Sequence, residues 1–130
     1  MDLFQKLVRD YEGRVLQDDG AYCSKDFNTF ARKCKNAIKK FCEEEGIELE
    51  SFHVGHYEFS GFLTKAGKYV YFAYDIRRGL PLDFDRDDAL CGVLVREADG
   101  PKDYIGHANH FCAFRNLVPY IKTFFEKILN

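Results

Sequence analysis

The chain has no apolar run approaching about 18 residues, so no segment reads as a membrane-spanning helix. It has only three prolines in 130 residues, no low-complexity tract and no internal repeat, which excludes a collagen-like chain, a linker-rich array and a disordered polymer. It also lacks a dominant charge. Nineteen Lys and Arg against 21 Asp and Glu give a net charge of −2, so there is no global basic field of the kind that drives nucleic-acid binding. The first residues, Met1 to Lys6, have neither the basic start nor the apolar stretch of a secretory signal. Five cysteines, Cys23, Cys34, Cys42, Cys91 and Cys112, show no paired short spacing, and the expectation is reduced thiols in a cytoplasm.

Catalytic signatures are missing too. There is no Gly-x-Ser-x-Gly elbow, phosphate loop or dinucleotide fingerprint, and Ser24, Ser51 and Ser60 are the only serines. The expectation is a protein that is not an enzyme and needs no cofactor.

What is present is a 46% hydrophobic, 16% aromatic chain of a length that suits one domain, residues 1–130. Leu3, Phe4, Leu7, Val8 and Tyr11 recur at helical spacing, predicting a short helix over 2–12. Gly13 and Asp18-Asp19-Gly20 mark a break and a turn. A longer helix is predicted over 26–45, with Asp26 as N-cap, Gly46 beyond its C-terminus, and Phe27, Phe30, Ala31, Cys34, Ala37, Ile38, Phe41 and Cys42 forming the apolar stripe. Arg32, Lys33, Lys35, Lys39 and Lys40 lie off that stripe.

The period then changes to two. Strands are predicted at 49–54, 56–64, 69–74 and 90–96, with a short edge strand at 110–114, and Lys65-Ala66-Gly67-Lys68 reads as a hairpin turn. Asn116 is placed as the cap of a terminal helix over 116–129. The expected fold is α+β: an antiparallel sheet of four to five strands packed by an N-terminal and a C-terminal helix. Phe30, Cys34, Ile38 and Phe41 are expected to face Phe72, Leu94 and Phe124 across the core.

Several constellations bear on function. His107-x-x-His110-x-Cys112, with His56 or Cys91, has the side-chain types of a zinc site but no established ligand spacing; hydrogen-bonded histidines are the preferred reading, and no metal is assigned. Cys91 or Cys112 with His110 is the one conceivable thiol–imidazole pair. Asp83, Asp85, Asp87 and Asp88 alternate as in a calcium loop, yet Asp88 stands where glycine is needed and Leu94 where glutamate is needed, so a solvated acidic loop is expected. Tyr57, Tyr69, Tyr71 and Tyr74 concentrate on the central hairpin and could form an amphipathic contact surface if helices cover only one face. The polar run 96–110 reads as an Ω-like loop.

Charge falls in blocks. Residues 21–42 carry six basic groups against Asp26, whereas 43–60 carry six glutamates and neither Lys nor Arg. Such blocks become solvated faces or charge-complementary docking surfaces. Two acidic faces could stand in for phosphates: Glu43, Glu44, Glu45, Glu48 and Glu50, or the loop Asp83, Asp85, Asp87 and Asp88, which is favoured because it is expected to project beyond the sheet.

The stretch Gly55-His56-Tyr57-Glu58-Phe59-Ser60-Gly61-Phe62 resembles small uncharacterised accessory proteins of bacterial phages and conjugative elements, as do Lys68-Tyr69-Val70-Tyr71-Phe72 and Val95-Arg96-Glu97-Ala98 running into Lys102-Asp103-Tyr104-Ile105-Gly106 and Asn109. The resemblance implies a mobile-element protein in the cytoplasm of a bacterial host, of the class that includes anti-CRISPR and other anti-defence factors. It carries no catalytic residues. The expected partner is therefore a protein, such as a CRISPR effector, contacted through Asp83, Asp85, Asp87, Asp88, Tyr57, Tyr69 and Tyr71. The competing expectation is a single-stranded nucleic-acid-binding module that uses stacked tyrosines and the basic helix face, and behind it a zinc-stabilised module or metal-dependent enzyme.

Overall fold

The computed structural model describes residues 2–16 and 25–130, so the predicted 18–20 turn and Cys23 lie outside the described residues. The elements are α1 (Leu3–Tyr11), α2 (Lys25–Glu45), β1 (Glu48–Val54), β2 (Glu58–Lys65), β3 (Lys68–Asp75), β4 (Val93–Ala98), β5 (His110–Cys112), a 3-10 turn (Phe114–Asn116) and α3 (Leu117–Leu129). The strands form a five-stranded antiparallel meander in chain order, and the fold is α+β as the sequence predicts. No helix among the described residues is long and apolar enough to cross a membrane.

Helix ends follow local chemistry. The Asp2 carboxylate accepts the Gln5 amide at 2.7 Å and caps α1. Gly46, at φ 68°, turns the chain out of α2, and the Ile47 amide donates back to the Cys42 carbonyl at 2.9 Å. Asp26 is not the N-cap: α2 begins at Lys25, so this carboxylate lies in the first turn, where it still complements the helix dipole. Asn116 likewise gives no side-chain cap to α3. The preceding 3-10 turn takes over, with the Asn116 amide donating to the Ala113 carbonyl at 2.9 Å.

The β2–β3 turn is a two-residue connection between paired Lys65 and Lys68, with Ala66 at φ 51° and Gly67 at φ 81°. Both central residues at positive φ make the hairpin geometry that matches strand twist. Gly61 has a different role: a Cβ there would lie 2.4 Å from the Ser51 carbonyl oxygen, beside the register shift between Leu49 and Ser51.

Helices α1, α2 and α3 supply one apolar cluster with the inward side chains of the sheet, including Phe59, Leu63, Val70, Phe72, Val93 and Val95. Phe30 of α2 is fully buried, with ring centroids 4.9 Å from Tyr11, 6.1 Å from Phe84 and 5.7 Å from Phe114. Phe30, Cys34, Ile38, Phe41 and Phe72 are buried and Phe124 packs against them, but Leu94 is a correction. It lies between Val93 and Val95, both fully buried, so strand alternation turns Leu94 to the opposite face. Leu90 is not in a strand either; the Gly92 amide closes a turn onto the Asp88 carbonyl at 2.8 Å, and β4 starts at Val93.

Phe30→Ala should lower stability by about 3–5 kcal/mol in a denaturant titration, because the ring is central to the cluster. Ala66→Asn should raise stability by about 0.5–1 kcal/mol in the same assay, since asparagine tolerates the left-handed region that disfavours alanine.

Candidate protein-binding surface

All three helices pack on one side of the sheet, and the other side is built from cross-strand rows. His53, Ser60, Ala73, Leu94 and Phe111 follow one another across the five strands, and Ser51, Phe62, Tyr71 and Arg96 form the neighbouring row. Around the first row lies a hollow of about 410 Å³ whose lining includes His53, Val54, Tyr71, Leu90, Leu94 and Phe111.

The four hairpin tyrosines do not share this face. Tyr69 and Tyr71 lie on it, two residues apart in β3, whereas Tyr74 is an odd number of positions from both and points inward. Tyr74 is 3% exposed and stacks on Phe114 at 5.0 Å, and burial raises its phenol well above the ordinary range. Tyr57 packs against Phe27 of α2 at 6.1 Å. A four-tyrosine surface is therefore replaced by Tyr69 and Tyr71 alone.

Part of the open face is roofed by residues 99–109. Tyr104 sets its ring edge-on to Phe62 at 5.3 Å and to Tyr71 at 5.9 Å, so Phe62 is fully buried although it lies outside the main core. Arg96 is 3% exposed, with its guanidinium 4.5 Å from the Tyr71 ring centroid. Its Nη2 donates to the Asp103 carbonyl at 2.8 Å, while the buried Nη1 has no hydrogen-bond partner.

The Asp103 carboxylate organises the loop by accepting the amides of Asp99 at 2.9 Å, Ile105 at 3.2 Å and Gly106 at 2.7 Å. These bonds, the Asp99 amide foremost, hold its pKa below the ordinary carboxylate value. His107 Nε2 lies 2.8 Å from Asp99 Oδ1, and that hydrogen bond raises the imidazole pKa. The Ω-like expectation for this segment matches an internally bonded loop. At its apex Ile105 is 92% exposed and Tyr104 57% exposed.

The acidic loop does not project. Ile76, Leu82, Phe84 and Cys91 are buried, and Phe84 lies 4.5 Å from Phe114 in the core. Backbone bonds from Gly13 to Leu82, Leu82 to Arg14 and Arg115 to Phe84 strap the segment to the body. Asp85 pairs with Arg115 at 2.7 Å, and Arg115 also pairs with Glu12. Asp88 pairs with Arg86 at 2.7 Å and accepts the Leu90 and Cys91 amides, and the Arg86 bond chiefly lowers its pKa. Asp83 accepts the Asp85 amide at 3.0 Å, and neither Asp83 nor Asp87 forms an ion pair among the described residues. All four aspartates are nonetheless exposed, as expected of a solvated acidic loop, and replacing them by asparagine would remove the Arg86 and Arg115 pairs while leaving the buried anchors in place.

The potential metal and nucleophile groups do not converge. Among the described residues no three His, Cys, Asp or Glu side chains are grouped to hold a metal. His107 turns to Asp99, His110 sets its ring edge against Phe124 at 5.6 Å, and Cys112 is buried in the core, its thiol pushed up to about 12 by that burial. The Cys91 thiol lies 3.6 Å from the Arg78 carbonyl oxygen rather than on an imidazole.

Sequence spacing does not mark Leu94, Phe111 and the buried Arg96 as residues of this side of the sheet. The available signal was alternation in β4, which puts Leu94 and Arg96 on one side once Val93 and Val95 are assigned to the other. The chain matches no family model, no curated protein and no solved structure.

Protonated His107 stabilises the loop through Asp99. Because its folded pKa is raised, this contribution is complete below pH ~6.5 and disappears as pH rises through the higher folded value. A histidine titration followed by NMR should place His107 above the ordinary value, and Asp99→Asn should return it there. An unshifted His107 in the native protein would show that the pair does not form in solution.

Proposed function

We propose that this protein is a non-enzymatic protein-binding factor of the accessory kind carried by phages and conjugative elements, with the open sheet face as its contact surface. One observation carries the choice of surface. Of the seven large apolar side chains exposed among the described residues, Val54 and Leu90 line the hollow, and Tyr104, next to Ile105, packs on Phe62 and Tyr71 of that face. Apolar groups collected in this way, next to a shallow hollow and presented by an internally bonded loop, suit the fixed anchors of a protein interface. Glu58 lines the hollow, and Asp87 stands at the turn leading to Leu90, so the complementary partner surface combines an apolar patch with basic groups. Basic surfaces that normally receive nucleic acid have that character, which supports a nucleic-acid-targeting defence complex, such as a CRISPR effector, as the partner class.

The single-stranded nucleic-acid reading is less well supported. It needs several free aromatic faces, whereas Tyr74 lies in the core and Tyr71 lies between Arg96 and Tyr104.

The test is surface-immobilised binding to purified bacterial CRISPR effector complexes, comparing the native protein with Leu90→Asp/Ile105→Asp. The native chain should retain at least one complex, and the double variant, with an unchanged melting temperature, should weaken it more than tenfold. Undiminished binding by that variant would remove the open face from the interface.

A further inference from the structure

On the other side of the molecule, the outward face of α2 is continuous and cationic. The helix has 21 residues and spans roughly 30 Å. Its buried residues, Phe27, Phe30, Ala31, Cys34, Ala37, Ile38, Phe41 and Cys42, occupy one side completely. At about 100° per residue, Arg32, Lys35 and Lys39 then fall on one flank of Asn36, and Lys33 and Lys40 on the other. Asn28 and Thr29 complete this face toward the N-terminus, and it contains no apolar or aromatic residue.

These five cations are exposed, and none forms an ion pair among the described residues. Lys33 rests its ammonium 5.3 Å from the Tyr11 ring centroid, which fixes that flank without neutralising it. Several cations elsewhere on the chain are paired instead: Arg9 with Asp10, Arg77 with Asp75, Arg86 with Asp88, Arg115 with Asp85 and Lys122 with Glu45. Five exposed cations thus share one helix face of a protein whose net charge is −2. The face ends where Glu43 and Glu44 reverse the sign.

We propose that this face of α2 binds the phosphate backbone of double-stranded DNA without sequence preference. Charge complementarity identifies a polyanion. The absence of any aromatic side chain on the face leaves unstacked bases nothing to stack on, which disfavours a single strand. The face has no apolar side chain of its own, and the half-exposed Leu3 of α1 beside Lys33 and Asn36 is far less than the apolar stripe an interfacial helix buries, which disfavours an anionic membrane. Cations on both flanks of the face can meet phosphates on either side of the wide B-form major groove, whereas the major groove of an RNA duplex is deep and narrow. Helix α1 lies beside α2 at Lys33 and Asn36, so the face rests across the groove rather than deep within it. The DNA surface and the open sheet face lie on opposite sides of the sheet, so both can be occupied at once, and this inference stands independently of the protein-binding reading.

Fluorescence anisotropy with a labelled 24-base-pair DNA duplex tests the proposal on the full chain. Five phosphate contacts predict a slope of about −4.5 in log K against log salt, a loss of roughly 500-fold between 50 and 200 mM. Lys33→Gln/Lys39→Gln/Lys40→Gln should reduce the slope by about 2.7 and weaken binding at least tenfold at 50 mM salt. Lys68→Gln/Lys102→Gln, on other surfaces, should leave binding unchanged. If the triple variant does not retain the native melting temperature, the three single substitutions and the native salt slope decide the matter. No duplex binding at 50 mM salt, or binding that the α2 substitutions do not weaken, overturns the proposal. So does equal or tighter binding of an RNA duplex, a single-stranded oligonucleotide or phosphatidylserine vesicles.

Discussion

The fold depends on the burial of Phe114. Its ring lies 5.0 Å from Phe4 of α1, 5.7 Å from Phe30 of α2, 5.0 Å from Tyr74 of β3 and 4.5 Å from Phe84 of the 76–92 segment. Four parts of the chain that share no local sequence logic are thus held against a single side chain. Removing water from so much aromatic surface at one point favours one arrangement of helices over the sheet. The long segment after β3 is consequently a strap, anchored by Phe84, with Asp85 and Asp88 paired to Arg115 and Arg86 at its exposed surface.

One-sided packing divides the molecule into faces with different chemistry. Helices cover the inward rows, the 99–109 loop roofs part of the outward rows, and a hollow remains beside Leu94 and Phe111. The buried guanidinium of Arg96 ties loop to sheet through the Asp103 carbonyl and the Tyr71 ring. A charged group held so far from water is stable only with such partners, and this makes the loop part of the sheet's architecture. The apex residues Tyr104 and Ile105 are accordingly presented on an ordered support, which limits the conformational entropy lost when they bind.

Much of the fold was legible in periodicity. The apolar stripe of α2 appears complete in the spacing from Phe27 to Cys42, and the hairpin at Ala66-Gly67 is marked by two alternating runs around a short turn. The candidate surface was less legible. Tyr57, Tyr69, Tyr71 and Tyr74 are close in sequence, and only strand parity separates those that enter the core from those that remain outside. The aspartates at 83, 85, 87 and 88 look equivalent in sequence, but Asp85 and Asp88 have partners that a linear reading does not supply, one of them 30 residues away.

The sequence by itself determined the α+β class, the helices and strands, the helix stripes, and the cationic face of α2, because each follows from short-range periodicity and local backbone preference. Tertiary structure alone decided which face of β4 meets the helices, that Phe62 is sealed beneath Tyr104, that Arg96 is buried, and that the acidic segment is strapped down. Those outcomes depend on which surfaces meet across the sheet. Such meetings are set by the burial of apolar area between elements distant in sequence, and no local pattern encodes them.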